Sequence, residues 1–124
     1  MLLEERLTEK IISAAIEVHK QFGPGLLESA YEQAFCHELT LRGIPFRCQV
    51  DLPLMYKGAR LDCGYRIDVI VAEAVVVELK SIEKVLPIHE AQLLTYMRLS
   101  GHRVGLLINF NVPLLREGIV RRVL

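Results

Sequence analysis

Tryptophan is absent from this chain, and aromatic residues of all kinds make up only 6% of it. That scarcity gives no sign of an aromatic platform on which bases could stack. Net charge is missing too, because 15 basic residues balance 15 acidic ones. Proteins that coat nucleic acid non-specifically are usually basic, so composition does not support that role, though it leaves room for a local basic site. Cysteine is scarce and odd in number: Cys36, Cys48 and Cys63 have no C-x-x-C spacing. This speaks against a disulfide framework or a zinc site and leaves buried, reduced thiols as the expectation. No apolar run approaches the ~18 residues of a membrane span. The opening Met1-Leu2-Leu3-Glu4-Glu5-Arg6 carries early acids and does not read as a signal peptide. By elimination the expected compartment is the cytoplasm, with no membrane partner.

What is present is a core. The chain has 124 residues, 52% of them hydrophobic, which suits one ordinary domain spanning 1–124 that needs no structural metal. Leu3, Leu7, Ile11, Ala14, Ala15, Val18 and Phe22 recur at steps of three and four and predict an amphipathic helix, stopped by Gly23-Pro24-Gly25. A second helix carries Leu27, Tyr31, Ala34, Phe35 and Leu39 on one face, with Gly43 as its cap. Alternation over 45–57 predicts a strand, with Pro53 marking an edge or a bulge. A second strand follows over Arg60–Val71, with Gly64 as a bulge, and a third over Ala74–Lys80. Pro87 opens a helix that runs to Ser100. The apolar run in Arg103–Phe110 predicts a strand buried on both faces. A helical turn and a short strand ending at Leu124 complete the order, ααβββαβ plus a small tail. This is an α/β fold with a mixed central sheet flanked by helices.

The hairpin between the second and third strands is the informative part. Centring it on Glu73 sets Val71 opposite Val75, Val69 opposite Val77 and Ile67 opposite Leu79, all apolar, on a core face. The other face then pairs Ile70 with Val76, Asp68 with Glu78, and Arg66 with Lys80. A slip of one residue would destroy this sorting. The register brings two carboxylates within about 4.5–5.5 Å at Cβ, where like charges repel and partial burial raises the cost. A divalent cation between them would compensate, and hard oxygen ligands in small number suit Mg²⁺ or Mn²⁺. Lys80, two residues beyond Glu78, points to the same face and could orient a water molecule or stabilise a phosphorane-like transition state. The plainer alternative is a cross-strand salt bridge.

Other polar residues could join them. His89, Gln92 and Tyr96 form one stripe of the third helix, where Gln92 could hold a phosphate or water and Tyr96 could position substrate; His89 more simply caps the helix. Glu28, at the start of the second helix, is either an acid favoured by the helix dipole or a third carboxylate of the site. His19 reads as a favourable cation at a helix C-terminus. Arg60, Arg66, Lys84, Arg98 and Arg103 could flank the site and meet phosphates. No role follows for Asn109.

Gly25-Leu26-Leu27-Glu28-Ser29-Ala30-Tyr31 resembles the signature of the GxxExxY proteins. Gly64–Asp68, Val77–Lys80, His89–Tyr96 and Gly105–Phe110 resemble that family's other blocks, in order along nearly the whole chain. The family is assigned to the PD-(D/E)xK nuclease-like superfamily. The resemblance therefore implies a restriction-endonuclease-like core, with Asp68 and the pair Glu78 and Lys80 in the superfamily's motif positions, Glu28 as its helix carboxylate and Gln92 as its helix glutamine. Arg66-Ile67 stands before the aspartate, so the Pro-Asp dipeptide is absent while the ligands remain.

Together these readings lead to an expected Mg²⁺- or Mn²⁺-dependent phosphodiester hydrolase. Nucleic acid is the expected substrate, DNA ahead of RNA. Asp68, Glu78 and Glu28 would be metal ligands, with Lys80, Gln92 and Tyr96 acting on water and substrate. A catalytically inactive nucleic-acid- or protein-binding module on the same fold is the rival, and a hydrolase of small phosphate esters a third reading. An exposed edge strand leaves room for a homodimer.

Overall fold

The computed structural model describes residues 4–124; Leu3 of the first predicted helix lies outside them. Helix α1 (Glu5–Phe22) buries Ile11, Ala14, Ala15 and Val18 of the predicted stripe, leaves Leu7 half-buried and Phe22 exposed, and ends where the amide of Gly23 returns to the carbonyl of His19. Helix α2 (Glu28–Leu41) packs against it through Tyr31, Phe35 and Leu39. The chain then runs through β1 (Phe46–Asp51), β2 (Leu54–Tyr56), β3 (Ala59–Leu61), β4 (Arg66–Val71), β5 (Val75–Lys80), α3 (Pro87–Ser100) and β6 (Val104–Asn109). A 3₁₀ turn over Leu115–Gly118 leads into β7 (Ile119–Val123).

The main sheet has the order β1-β4-β5-β6-β7, with β5 and β6 parallel and every other neighbour antiparallel. A mixed sheet with one right-sized crossover helix between its parallel strands follows from the sequence order. Helices α1 and α2 cover one face, over Val69, Val71, Val75, Val77, Leu79, Leu106 and Ile108. Helix α3 covers the other, over Ile67, Ile70, Val76 and Leu107. The central strands β5 and β6 are thus covered on both sides, which is why Val75–Val77 and Val104–Ile108 read as apolar runs. Among the described residues no helix is long and apolar enough to cross a membrane.

Three sequence expectations change. The strands predicted over 45–57 and 60–71 each divide, and β2 and β3 form a separate two-stranded hairpin. Pro53 has no amide to continue the ladder, and Gly64 turns the chain at φ 77°, so the excursion leaves the sheet and returns to it. The tip at Lys57-Gly58 has positive φ at both residues, as a tight hairpin turn requires. Cys48 and Cys63 are exposed rather than buried, because one lies on the edge strand β1 and the other in the loop before β4. Cys36 is half-buried, and burial, with Cys48 and Glu32 near, pushes its thiol up to about 12, which keeps it inert. His19 lies in the last turn of α1, as expected, but away from the surface. It is buried, with Nε2 2.8 Å from the carbonyl of Val112.

Candidate metal and nuclease site

The predicted hairpin register holds at Val71–Val75, Ile70–Val76 and Val69–Val77. The backbone ladder then stops at the two carboxylates. The amide of Asp68 donates to Oε2 of Glu78 at 2.9 Å, and the amide of Leu79 donates to Oδ2 of Asp68 at 2.9 Å. Each acid thus accepts a main-chain amide of the facing strand just beyond the last regular pair of the ladder.

The pleat changes at the same level. Strict alternation would put Ile67 with Val69 under α1 and α2, yet Ile67 packs under α3. Its partner strand does likewise: Phe46 packs on the α1–α2 side, whereas Val50, opposite Ile67, packs on the α3 side. Between them Gln49 adopts a left-handed φ of 50°, which is uncommon for a side-chain-bearing residue. Asp68, facing Gln49, consequently lines a 190 Å³ cavity under α2 with Glu28, Glu32 and Gln49. The expectation that Asp68 and Glu78 stand side by side on one flat face, with Ile67 and Leu79 sharing the other, is therefore corrected. The two carboxylates each reach across to the main chain of the facing strand, and Ile67 and Leu79 belong to opposite clusters.

Glu78 is 6% exposed. Burial and the neighbouring charge of Asp68 raise its carboxyl well above the ordinary carboxylate range, and Lys80 opposes them only weakly. A buried acid beside a second, half-buried carboxylate favours either a retained proton or a cation. Each carboxylate has one oxygen outside the backbone bonds just described. Among the described residues no group of three or more His, Cys, Asp or Glu is arranged to hold a metal ion. Magnesium keeps several waters and takes one or two carboxylates plus substrate phosphate, and the Asp68–Glu78 pair fits that requirement.

The remaining predicted residues fall at different distances from this centre. Lys80 is half-buried at the end of β5, paired in register with Asn109. No carboxylate among the described residues lies within salt-bridge distance of it. Tyr96 packs against the α3-side core and feels Glu78 and Asp68, whose charges join burial in raising its phenol. Gln92, one turn earlier on the same stripe, is exposed. Glu28 is exposed at the first position of α2, on the rim of the Asp68 cavity. His89 accepts the amide of Leu86 at Nδ1, 2.8 Å away, and so caps α3. Arg103 stands at the far end of the sheet, against the carbonyl of Leu124, because parallel β6 begins beside Val75 and ends beside Lys80.

Sequence reasoning missed Gln49, and it noted Glu32 beside Glu28 near the start of the second helix without giving it a role. Burial, opposed by the hydrogen bond from Gln49 (2.7 Å) and reinforced by the charge of Asp68, raises the Glu32 carboxyl. The available signal was its i+4 spacing from Glu28, which sets both on one side of α2. Asn109 was also missed. Its Oδ1 accepts the amides of Ile82 and Asn111, and its Nδ2 donates to the carbonyl of Ile82. It thereby fixes the segment leaving Lys80.

A mixed sheet between helices, with an acid on one strand and Glu-x-Lys on the next, defines a nuclease-like α/β class. The family model described as the PD-(D/E)XK nuclease superfamily matches residues 5–123, nearly the whole chain, and the protein belongs to that superfamily. Neither the curated proteins nor the solved structures contain a match.

Proposed function

We propose that this protein is a Mg²⁺- or Mn²⁺-dependent phosphodiester hydrolase acting on nucleic acid, on DNA in preference to RNA. The observation that carries the reading is the Asp68–Glu78 pair, Glu78 buried and Asp68 half-buried, each bound to the other's strand and followed by Lys80. Asp68 and Glu78 would hold the cation, with Glu28 and Glu32 on the cavity rim as outer carboxylates. A divalent cation bound there supplies positive charge to the phosphate and acidifies water. The residues of the chain do the rest. Lys80 presents its ammonium to the attacking oxygen and to charge developing on the phosphate. The phenol of Tyr96 and the amide of Gln92, on one stripe of α3, orient the substrate backbone. The packed faces around Glu78 exclude water from its buried oxygen and strengthen each of these interactions.

Thermal stability with and without Mg²⁺ tests the first step. The wild type should gain stability by mass action, and Asp68→Ala should gain none. Cleavage of single-stranded, duplex and branched DNA, with Glu78→Ala and Lys80→Ala as controls, tests the second. Metal-independent cleavage that survives in both variants would refute the assignment. One observation favours the same fold without turnover: the acids do not converge as a set of three. Under that reading the metal stabilises the protein but no DNA is cut.

A further inference from the structure

Tyr65 is a large aromatic side chain left 46% exposed, although it immediately precedes β4 and lies three residues from Asp68. Its amide-bearing segment is pinned in place, since the carbonyl of Tyr65 accepts the amide of Leu52 at 2.9 Å. Its ring leans on Tyr96, with centroids 6.2 Å apart and planes at 60°. A tilted contact occupies one edge or face of each ring and leaves the rest of Tyr65 open. Tyr65 also lines a 270 Å³ hollow with Leu52, Pro53, Arg60 and Arg66, and with the carboxylates Asp51 and Asp62 that these arginines face. That volume lies just below the ~300 Å³ at which small-molecule sites begin, so it suits one flat ring rather than a base pair. Arg60 and Arg66 reach Asp62 and Asp51 at 3.6 and 3.3 Å, and all four side chains are well exposed. Pairs this open contribute little, so either guanidinium can turn to a phosphate, which it matches in a bidentate fashion.

The position of this ledge gives it meaning. Tyr96, which touches Tyr65, also feels the charges of Glu78 and Asp68, and Tyr65 stands three residues before Asp68, so a strand whose phosphate lay at the two acids would bring its adjoining nucleoside toward Tyr96 and Tyr65. A base inside a duplex has both faces stacked and its edge paired, and cannot lie on a side chain. An unpaired base can. We propose that Tyr65 and the hollow beside it form a stacking subsite for one unpaired nucleotide, making the substrate single-stranded or unpaired nucleic acid rather than intact duplex. The inference rests on the reading of the Asp68–Glu78 pair given above.

The test is fluorescence anisotropy in EDTA, where neither metal nor cleavage enters. The probes are a labelled oligothymidylate and the same strand annealed to oligodeoxyadenylate, at one low salt concentration. The wild type should bind the single strand about tenfold or more tighter than the duplex. Tyr65→Leu should lose about tenfold on the single strand alone, and Tyr65→Phe, which keeps the ring, should retain it. Circular dichroism verifies that each variant is folded, as expected for an exposed position. Equal affinity for both probes, no binding of either, or a folded Tyr65→Leu that binds like wild type would each overturn the subsite. The thermal shift with Mg²⁺ uses no nucleic acid, so failure of the stacking subsite and failure of the metal site are read separately.

Discussion

Asn109 grips Ile82 through both ends of its amide: Oδ1 accepts the Ile82 amide at 3.1 Å and Nδ2 donates to the Ile82 carbonyl at 2.9 Å. Asn109 is 2% exposed, so these bonds have little water to replace them. Replacement by Leu would strand the amides of Ile82 and Asn111. We expect Asn109→Leu to cost about 2–3 kcal/mol in urea denaturation, the range for unsatisfied polar groups in a poorly hydrated site. Asn109→Asp should be damaging at neutral pH, where its charge meets the Ile82 carbonyl, and milder in acid, where a protonated carboxyl can donate to it. On the proposed mechanism either change also frees the segment after Lys80. A fully stable Asn109→Leu protein would show that the grip contributes nothing.

Glu78 makes a pH prediction whose sign is fixed by burial. Desolvation first, and the charge of Asp68 second, raise its carboxyl above the ordinary 4.5. The folded protein then keeps a proton that the unfolded chain has released. Its contribution to stability is complete below about pH 4.5 and is lost as pH rises toward the folded value. Glu78→Gln has no charge to desolvate, so without metal the variant should gain on the wild type between pH 5 and 8. The difference in unfolding free energy should grow with a slope of at most about 1.4 kcal/mol per pH unit. Added Mg²⁺ should shrink the gap by stabilising the wild type alone. A difference that stays flat with pH would mean that Glu78 is already ionised and satisfied in the fold.

The outcome at this site separates what is legible in the sequence from what is not. Val69, Ile70 and Val71 against Val75, Val76 and Val77 announce their register because an apolar strand pair has only one arrangement that buries every side chain. The inner parts of the α1 and α2 stripes were legible from burial as well, while Phe22 and Leu27 at their ends are exposed. The reversal of pleat at Asp68 was not, because it depends on a side chain accepting a main-chain bond across the strands and on the left-handed φ of Gln49, neither of which leaves a periodic trace. Glu32, Gln49 and Asp68 converge only when α2 and β1 pack, a long-range event without local pattern. Tyr65 gave no signal because a tyrosine entering a strand is ordinary; its exposure against Tyr96 is a property of the assembled sheet and α3.

Tyr31 joins fold to site. Its ring stacks on Phe110 with centroids 4.4 Å apart and planes at 6°. Its hydroxyl donates to the carbonyl of Gly23 and accepts the amide of Leu26 at 3.2 Å. Ser81, just beyond Lys80, donates to the carbonyl of the same Leu26 at 2.6 Å. The loop that delivers Glu28 is therefore tied both to α2 and to the end of β5. Tyr31→Phe keeps the stack and removes two bonds from a fully buried hydroxyl, so it should cost about 1–2 kcal/mol. Combining it with Ser81→Ala should show a non-additive term, since both hold one loop. Strict additivity would mean that the two ties act independently.

Two glycines should differ sharply on substitution by alanine. At Gly105, on β6 beneath α3, an added Cβ would stand 2.5 Å from Sδ of Met97 and 3.0 Å from Cδ1 of Leu93. At Gly118, at the end of the 3₁₀ turn, it would collide with the backbone oxygen of Asn109. A thioether can rotate, at an overpacking cost of about 1–3 kcal/mol. A carbonyl in a strand whose side chain grips Ile82 cannot move alone. Gly118→Ala should therefore be the more destabilising of the two, and Met97→Ala should partly relieve Gly105→Ala in a double-mutant cycle. Truncation of Val112, whose Cγ2 lies 3.1 Å from the Gly118 position, should bring Gly118→Ala little relief. Urea midpoints of these variants decide the matter: a Gly118→Ala protein as stable as Gly105→Ala would mean that the turn shifts freely against β6, and the fixed position assigned to Asn109 would fall with it.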